Sequence, residues 1–155
     1  MSTLLTDRRL QTISKQVNKS VNSLRFSTLV TAISKAGLME TLRGIKVATI
    51  FAPTDDAFSR VAKEDLTRLM SDKSALVTLL MRHGLEGSLF TEAFIWQEHN
   101  TIGGDKIATQ VFREGLRVVS FVNGKRTEAF LVEKDILATN GVIHAIDNVL
   151  CSLAP

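Results

Sequence analysis

The stretch from Glu133 to Leu150 reads EKDILATNGVIHAIDNVL and contains three features in unbroken succession. An Asp-Ile pair at 135–136 comes first, an Asn-Gly pair at 140–141 follows, and a mostly apolar run completes the stretch. Asn-Gly between apolar runs is the strongest short-range hairpin signal, because these residues tolerate the positive φ of tight turns. The stretch therefore predicts a strand, a turn at Asn140-Gly141 and a final strand that contains His144.

A second compact block, from Thr49 to Phe58, reads TIFAPTDDAF. Its apolar start favours a short strand over Val47 to Ala52, closed by Pro53, which has no N–H to donate to a ladder. Thr54 follows as the predicted N-cap of a helix. Asp55 and Asp56 then fall in the first helical turn, where the positive end of the helix dipole stabilises carboxylates.

The remaining patterns divide the chain into a helical half and a strand half. Apolar residues at three- and four-residue steps predict helices before residue 84, and Gly and Asn-Gly turns separate β-favouring runs after it. Helices first and antiparallel strands later indicate an α+β fold. We expect Phe51, Phe58, Ile136 and Ile146 to share one apolar interior. The predicted helices run from Asp7 to Leu24, after Ser27 as N-cap to a stop at Gly37, from Lys63 to Met70, and after Asp72 as N-cap from Lys73 to His83.

The length of 155 residues fits one domain over residues 1–155, with about residues 1–9 as an N-terminal extension. The net charge of +3 comes from the first 26 residues, because acidic and basic residues nearly cancel in the remainder. That distribution, together with few aromatic residues, argues against nucleic-acid binding. No apolar run is long enough to insert into a membrane, and the given sequence shows no signal peptide at its start.

The side chains that could support catalysis form no recognisable constellation. Asp55 and Asp56 would project about 100° apart from a helix, so they do not converge on one point. The three histidines match no metal-binding spacing, and no nucleophile elbow is present. We therefore expect no enzyme activity, no metal and no cofactor. His83 on a leucine-rich helix face and His144 in an apolar strand are expected to be buried and hydrogen-bonded.

The segment Glu133-Lys134-Asp135-Ile136-Leu137 admits two interpretations. An acidic side chain beside bulky aliphatic residues before a turn can serve as a partner-binding epitope, in which the acid meets a metal or an arginine of the partner. Alternatively, Ile136 and Leu137 enter the core and Asp135 accepts hydrogen bonds from nearby main-chain N–H groups.

The blocks Thr49–Phe58 and Asp135–Leu150 resemble the two signature motifs of the fasciclin domain family. Leu76–His83 is similar to the stretch between them, which ends in Tyr-His in many members, although here Arg82 precedes His83 and the chain has no tyrosine. The resemblance implies a compact β-sandwich with helices packed around it. The motif positions that it assigns structural roles are Thr54, Asp55, His83, Asn140, Gly141 and His144.

The resemblance also implies a function. It predicts a non-enzymatic extracellular module for cell adhesion or matrix binding, secreted or anchored at the cell surface. The expected partner is a protein receptor or matrix component, with integrins as one possibility and Asp135-Ile136 as the site. The alternative is a structural or oligomerisation domain of a larger protein, in contact with neighbouring fasciclin-like domains or with itself.

Overall fold

The computed structural model describes residues 26–38, 41, 47–113, 115–122, 125–138 and 141–150. The predicted helix at 7–24 and the turn residue Asn140 lie outside this part of the chain. Within it, the helices are α1 (Ser27–Ala36), α2 (Asp55–Ser59), α3 (Lys63–Ser71) and α4 (Lys73–Arg82), with a 3₁₀ turn at Thr91–Ala93. The strands are β1 (Ala48–Pro53), β2 (Gly84–Glu86), β3 (Gln97–Asn100), β4 (Lys106–Phe112), β5 (Gly115–Val122), β6 (Lys125–Ala138) and β7 (Gly141–Ile146).

The seven strands form one sheet in the order β2-β1-β7-β6-β5-β4-β3. Every neighbouring pair is antiparallel except β1 and β7, which run parallel from Ala48 opposite Gly141 to Pro53 opposite Ile146. The α+β class, with helices mainly in the first half of the chain and antiparallel strands mainly in the second, is confirmed. The parallel pair was not predicted, and it places the two sequence blocks side by side as the second and third strands of the sheet.

Strand β6 belongs to both halves of this sheet. Its first part, Lys125–Phe130, pairs with β5, and its second part, Leu131–Ala138, pairs with β7. Two register shifts, between Leu131 and Glu133 and between Glu133 and Ile136, separate the bonded pairs with β7. Bulges of this kind bend and twist a strand, so they let one strand pass from one half to the other.

The buried apolar residues form two clusters rather than the single interior expected from the sequence. Phe51 and Ile146 belong to a cluster between the two halves of the sheet, with Ile107 and Val118 from β4 and β5. Phe58 belongs to a cluster between the helices and β1 and β7, and Ile136 packs against it. The expectation of one interior is wrong because adjacent strand residues point to opposite faces, and β1 and β7 are covered on both.

The helix ends follow the local signals in the sequence, with one change. The Thr54 hydroxyl accepts a hydrogen bond from the Ala57 N–H at 3.2 Å, and the Asp72 carboxylate accepts one from the Ala75 N–H at 3.2 Å. Gly37 ends α1 with φ of 69°. Ser27, predicted as the N-cap of α1, is instead its first helical residue, and Phe26 at the N-cap position has no side-chain acceptor.

The Asp55 carboxylate supplies the missing cap of α1 from another helix. It accepts hydrogen bonds from the Ser27 hydroxyl and from the Thr28 N–H, both at 2.7 Å. Partial burial raises the pKa of Asp55, but these hydrogen bonds outweigh it and hold the pKa below its usual value. Asp55 therefore stabilises the start of α1 as well as lying in the first turn of α2.

The β6–β7 hairpin differs in detail from the predicted Asn-Gly turn. Gly141 is the first residue of β7 and lies opposite Ala138, so it belongs to the strand pairing. A Cβ atom on Gly141 would overlap the carbonyl group of Ala48 on β1. The parallel strand beside it, rather than a turn, is what requires glycine at this position.

We expect Gly141→Ala to destabilise the domain by roughly 2 kcal/mol or more, because β1 and β7 must separate to admit the methyl group. Urea denaturation followed by circular dichroism measures the change. Gly104→Ala is the matched control, since Gly104 has φ of 94° but no neighbour within 4 Å of the added Cβ. It should cost only backbone strain of about 1–2 kcal/mol. Equal losses in the two variants would contradict the steric explanation.

Candidate functional site

The segment Glu133–Leu137 lies on the part of β6 that is distorted by the two bulges. Its pairing with β7 joins Glu133 to Ala145 and then resumes with Ile136 opposite Ile143, so Lys134 and Asp135 together face the single residue His144. Asp135 has φ of 55°, the only positive value at a non-glycine residue in the described part of the chain. Aspartate tolerates this conformation better than most residues do.

The Asp135 carboxylate is held by Thr91 from the connection between β2 and β3. It accepts a hydrogen bond from the Thr91 N–H at 2.9 Å and another from the Thr91 hydroxyl. Partial burial raises the pKa of Asp135, but the two hydrogen bonds from Thr91 outweigh it and leave the pKa below its usual value. The carboxylate therefore fastens the bulge of β6 to the connection between β2 and β3.

His144 also joins the bulge of β6 to the connection between β2 and β3, and its ring is buried. Its Nδ1 accepts a hydrogen bond from the Asp135 N–H at 3.0 Å, and its Nε2 lies 2.7 Å from the Leu89 carbonyl oxygen. The imidazole is therefore neutral, with its proton on Nε2, and its 3.9 Å approach to the Asp135 carboxylate is not an ion pair at neutral pH. Phe51 stacks on the ring and Phe94 meets it edge-on.

In and beside the segment Glu133–Leu137, the exposed side chains are not those of the Asp135-Ile136 pair. Leu137 is 70% exposed and Val132 is 44% exposed, and Lys134 is exposed too. Glu133 is half-buried. Ile136 packs against the helix-side cluster. The second interpretation, in which Ile136 and Leu137 both enter the core, is wrong for Leu137, because adjacent residues of a strand point to opposite faces.

The Arg82-His83 pair, at the position of Tyr-His in the family motif, is buried. His83 Nε2 accepts a hydrogen bond from the Leu150 N–H at 3.0 Å, and its Nδ1 lies 2.8 Å from the Leu79 carbonyl oxygen. Arg82 donates to the Leu150 carbonyl at 3.2 Å and pairs with Asp105 at 2.8 Å. These two side chains bind both main-chain groups of Leu150 and present no accessible epitope.

The titratable residues considered for catalysis do not meet in the described structure. Asp55 binds the start of α1, His83 binds Leu150, and His144 binds the bulge of β6. No group of three or more His, Cys, Asp or Glu side chains is placed to hold a metal ion within the described residues. None of the helices described there is long and apolar enough to span a membrane.

Thr91 and Leu89 are the hydrogen-bond partners of Asp135 and His144, and they were not identified from the sequence. They lie in the connection between β2 and β3, where Thr91 is the first residue of the 3₁₀ turn. Their polar contacts join residues 44 and 55 positions apart in the chain, and a threonine in such a connection carries no local signal for them. The one hint in the sequence is Asp135 itself, because a partly buried carboxylate needs a hydrogen-bond donor close to it.

A family model of the fasciclin domain matches residues 24–152. The chain belongs to the fasciclin domain family. Pig transforming growth factor-beta-induced protein ig-h3 is 32% identical over 148 residues, which cover 94% of this chain and 21% of that protein. The Synechocystis protein sll1735 is 35% identical over 136 residues, which cover 86% of this chain and 95% of that protein.

A solved protein structure has the same fold. The FAS1 domain pair of the insect cell adhesion molecule fasciclin I superposes with a TM-score of 0.62 and 19% sequence identity. The match covers 77% of this chain and 42% of that chain. At this identity the likeness shows the fold. The chain thus spans one fifth of ig-h3 but nearly the whole of the cyanobacterial protein, so the family occurs both within long proteins and as single domains.

Protonation of His83 should make the stability of this fasciclin domain depend on pH. Burial lowers the pKa of His83 to about 4, from an ordinary value of 6.5. Between these values only the unfolded chain takes up the proton, so His83 contributes fully above pH 6.5 and loses its contribution as the pH falls to 4. The loss is about 3 kcal/mol.

Urea denaturation of the wild type and of His83→Gln at pH 7.5 and pH 4.5 measures this effect. We expect the wild type to lose more stability between the two pH values than the variant, although the variant is less stable at pH 7.5. Identical pH dependence in the two proteins would show that His83 is not buried in its neutral form.

Replacing Asp135 should destabilise the domain, because the Thr91 N–H and hydroxyl lose their acceptor and alanine disfavours a positive φ. We expect Asp135→Ala to lower the free energy of unfolding by roughly 2–3 kcal/mol. Asp135→Asn should cost less, since asparagine tolerates the backbone conformation and keeps one acceptor oxygen. A stability of Asp135→Ala within error of the wild type would contradict the structural role.

Proposed function

We propose that this fasciclin domain is a non-catalytic extracellular adhesion module that binds a protein receptor or matrix component. Family membership supports a binding role, and one solved relative is a cell adhesion molecule by its title. The observation that carries the site is Leu137, whose side chain is 70% exposed although its neighbour Ile136 packs against the core. An exposed aliphatic side chain on a rigid strand fits the anchor of a protein interface.

The proposed contact surface is formed by the outward-facing residues of the bulged segment. Leu137 and Val132 provide apolar contact, and Lys134 with the half-buried Glu133 provides charge at the rim. Asp135 and Ile136 act as positioning residues, because one binds Thr91 and the other packs against the helix-side cluster. This assignment moves the contact away from the Asp-Ile pair itself and keeps it on the same segment.

Fixed geometry favours binding through this segment. The Asp135 carboxylate and the His144 imidazole hold the bulge from two directions, so little conformational entropy remains to be lost when a partner binds. An integrin is one class of receptor that this proposal includes. Location outside the cell, secreted or anchored at the surface, belongs to the same proposal.

The alternative is a structural or oligomerisation role within a larger protein. The chain spans only 21% of ig-h3, so a domain of this kind can have other domains beside it. Under this alternative the exposed apolar residues would contact a neighbouring domain rather than a receptor. Light scattering of the isolated domain across a concentration series separates the two, because the adhesion role does not require self-association.

Leu137→Ala should reduce attachment of cells to surfaces coated with the domain by at least several-fold, because truncation of a central apolar anchor typically costs 2 kcal/mol or more. The thermal midpoint should stay within about 2 °C of the wild type, since surface substitutions rarely change stability much. Val111→Ala is the matched control, as Val111 is 56% exposed on β4. Unchanged attachment by Leu137→Ala would remove this site, and a large drop in thermal midpoint would show that Leu137 is structural.

A further inference from the structure

The two edges of the sheet approach each other on the side away from β6. Strands β2 and β3 are the two edge strands of the sheet. The N–H of Ile102, which follows β3, donates a hydrogen bond to the carbonyl of Gly84 in β2 at 2.9 Å. Beyond this bond the edges separate into an open gap of about 440 Å³. We call it the edge gap; its lining residues are Leu85–Leu89 on one side and Glu98–Asn100 on the other.

The main chain of β3 has hydrogen-bonding groups that face the edge gap. The Thr101 N–H bonds to the Asp105 carbonyl on the β4 side, and the next N–H, of Ile102, points across to β2. Main-chain groups of an antiparallel strand alternate in direction, so the groups of Glu98 and Asn100 point the same way as those of Ile102. A further strand could pair with these groups without breaking any bond between β3 and β4.

The edge lacks several of the features that commonly prevent strand addition. Residues Gln97–Asn100 contain no proline and no lysine, and their pairing with β4 is continuous, without a bulge. Edge strands are usually blunted by such features, although shortness also protects them. Gly87 and Ser88 on the opposite wall have small side chains, so they leave room for an incoming backbone.

The charges around the edge gap select the chemistry of the occupant. Glu86 and Glu98 are exposed, one on each wall, and no lysine or arginine is among the lining residues. Burial lowers the pKa of His99, so its imidazole adds no positive charge at neutral pH. Lys106 lies opposite Asn100 on the β4 side. The gap is therefore locally acidic in a chain whose net charge is +3.

We propose that the edge gap binds an extended peptide segment of a partner protein, which adds a strand to β3 and carries lysine or arginine residues. Main-chain pairing with Glu98 and Asn100 supplies affinity that does not depend on sequence, and the two glutamates select basic side chains. Trp96, which directly precedes β3 and is 61% exposed, offers an apolar contact at one end of the strand. The proposal is independent of the contact surface around Leu137.

The test uses a blocked ten-residue peptide in which lysine alternates with valine. Binding is followed by the fluorescence of Trp96, the only tryptophan in the chain, and by amide NMR shifts and hydrogen exchange. We expect the largest shifts and new exchange protection at Glu98 and Asn100. A peptide with glutamate in place of lysine should bind at least tenfold more weakly, and so should the lysine peptide with alternate main-chain nitrogens methylated.

Variants of the protein test the same two contributions separately. Glu86→Lys combined with Glu98→Lys should weaken the lysine peptide at least tenfold, whereas Glu64→Lys on α3 should leave binding unchanged. Asn100→Pro removes one outward N–H that the fold does not use, so it should weaken binding while preserving the circular dichroism spectrum. Leu137→Ala should bind the peptide like the wild type.

Three outcomes would overturn the proposal. The first is no binding at millimolar peptide. The second is equal binding of the methylated peptide, which would indicate charge attraction without strand pairing. The third is a set of NMR shifts centred outside β2 and β3. Because Leu137→Ala keeps the edge gap intact, failure here and failure of the adhesion site give different results.

Discussion

The parallel pairing of β1 with β7 is the constraint on which the rest of the structure depends. It places the two sequence blocks that resemble the family motifs side by side, from Ala48 beside Gly141 to Pro53 beside Ile146. Both strands are buried on two faces, because the helices pack against one face and the second half of the sheet packs against the other. Gly141 makes this possible because its missing side chain leaves space for the Ala48 carbonyl.

The polar residues of the family motifs join segments that are distant from one another in the chain. Asp55 binds the start of α1, His83 binds Leu150, and Asp135 with His144 bind the loop at Leu89 and Thr91. Each bond satisfies a main-chain group that burial would otherwise leave without a partner. Carboxylates and imidazoles, the side chains that serve in many catalytic sites, are here hydrogen-bonded to the main chain and fix its course.

The sequence predicted the parts of the structure that depend on neighbouring residues. Thr54, Asp72 and Gly37 sit at helix ends because their side chains or backbone conformations act within one turn. The burial of His83 and His144 followed from their apolar neighbours. The contact of Asp135 with Thr91 could not be predicted, because it joins residues 44 positions apart. The outward direction of Leu137 depends on the two bulges, which shift the register of β6 and leave no clear mark in the sequence.

The parallel pair also has a consequence for how the chain acquires its structure. Parallel strands need a long connection, and here β1 and β7 are joined through almost every other described element. The entropy of closing that loop must be lost before the central contacts form, which slows folding. During synthesis from the N-terminus, β1 cannot pair with β7 until nearly the whole domain has been synthesised. Until then the edge of β1 that faces β7 has unpaired main-chain groups, and in a protein with several such domains that edge can pair with the β7 of a neighbour.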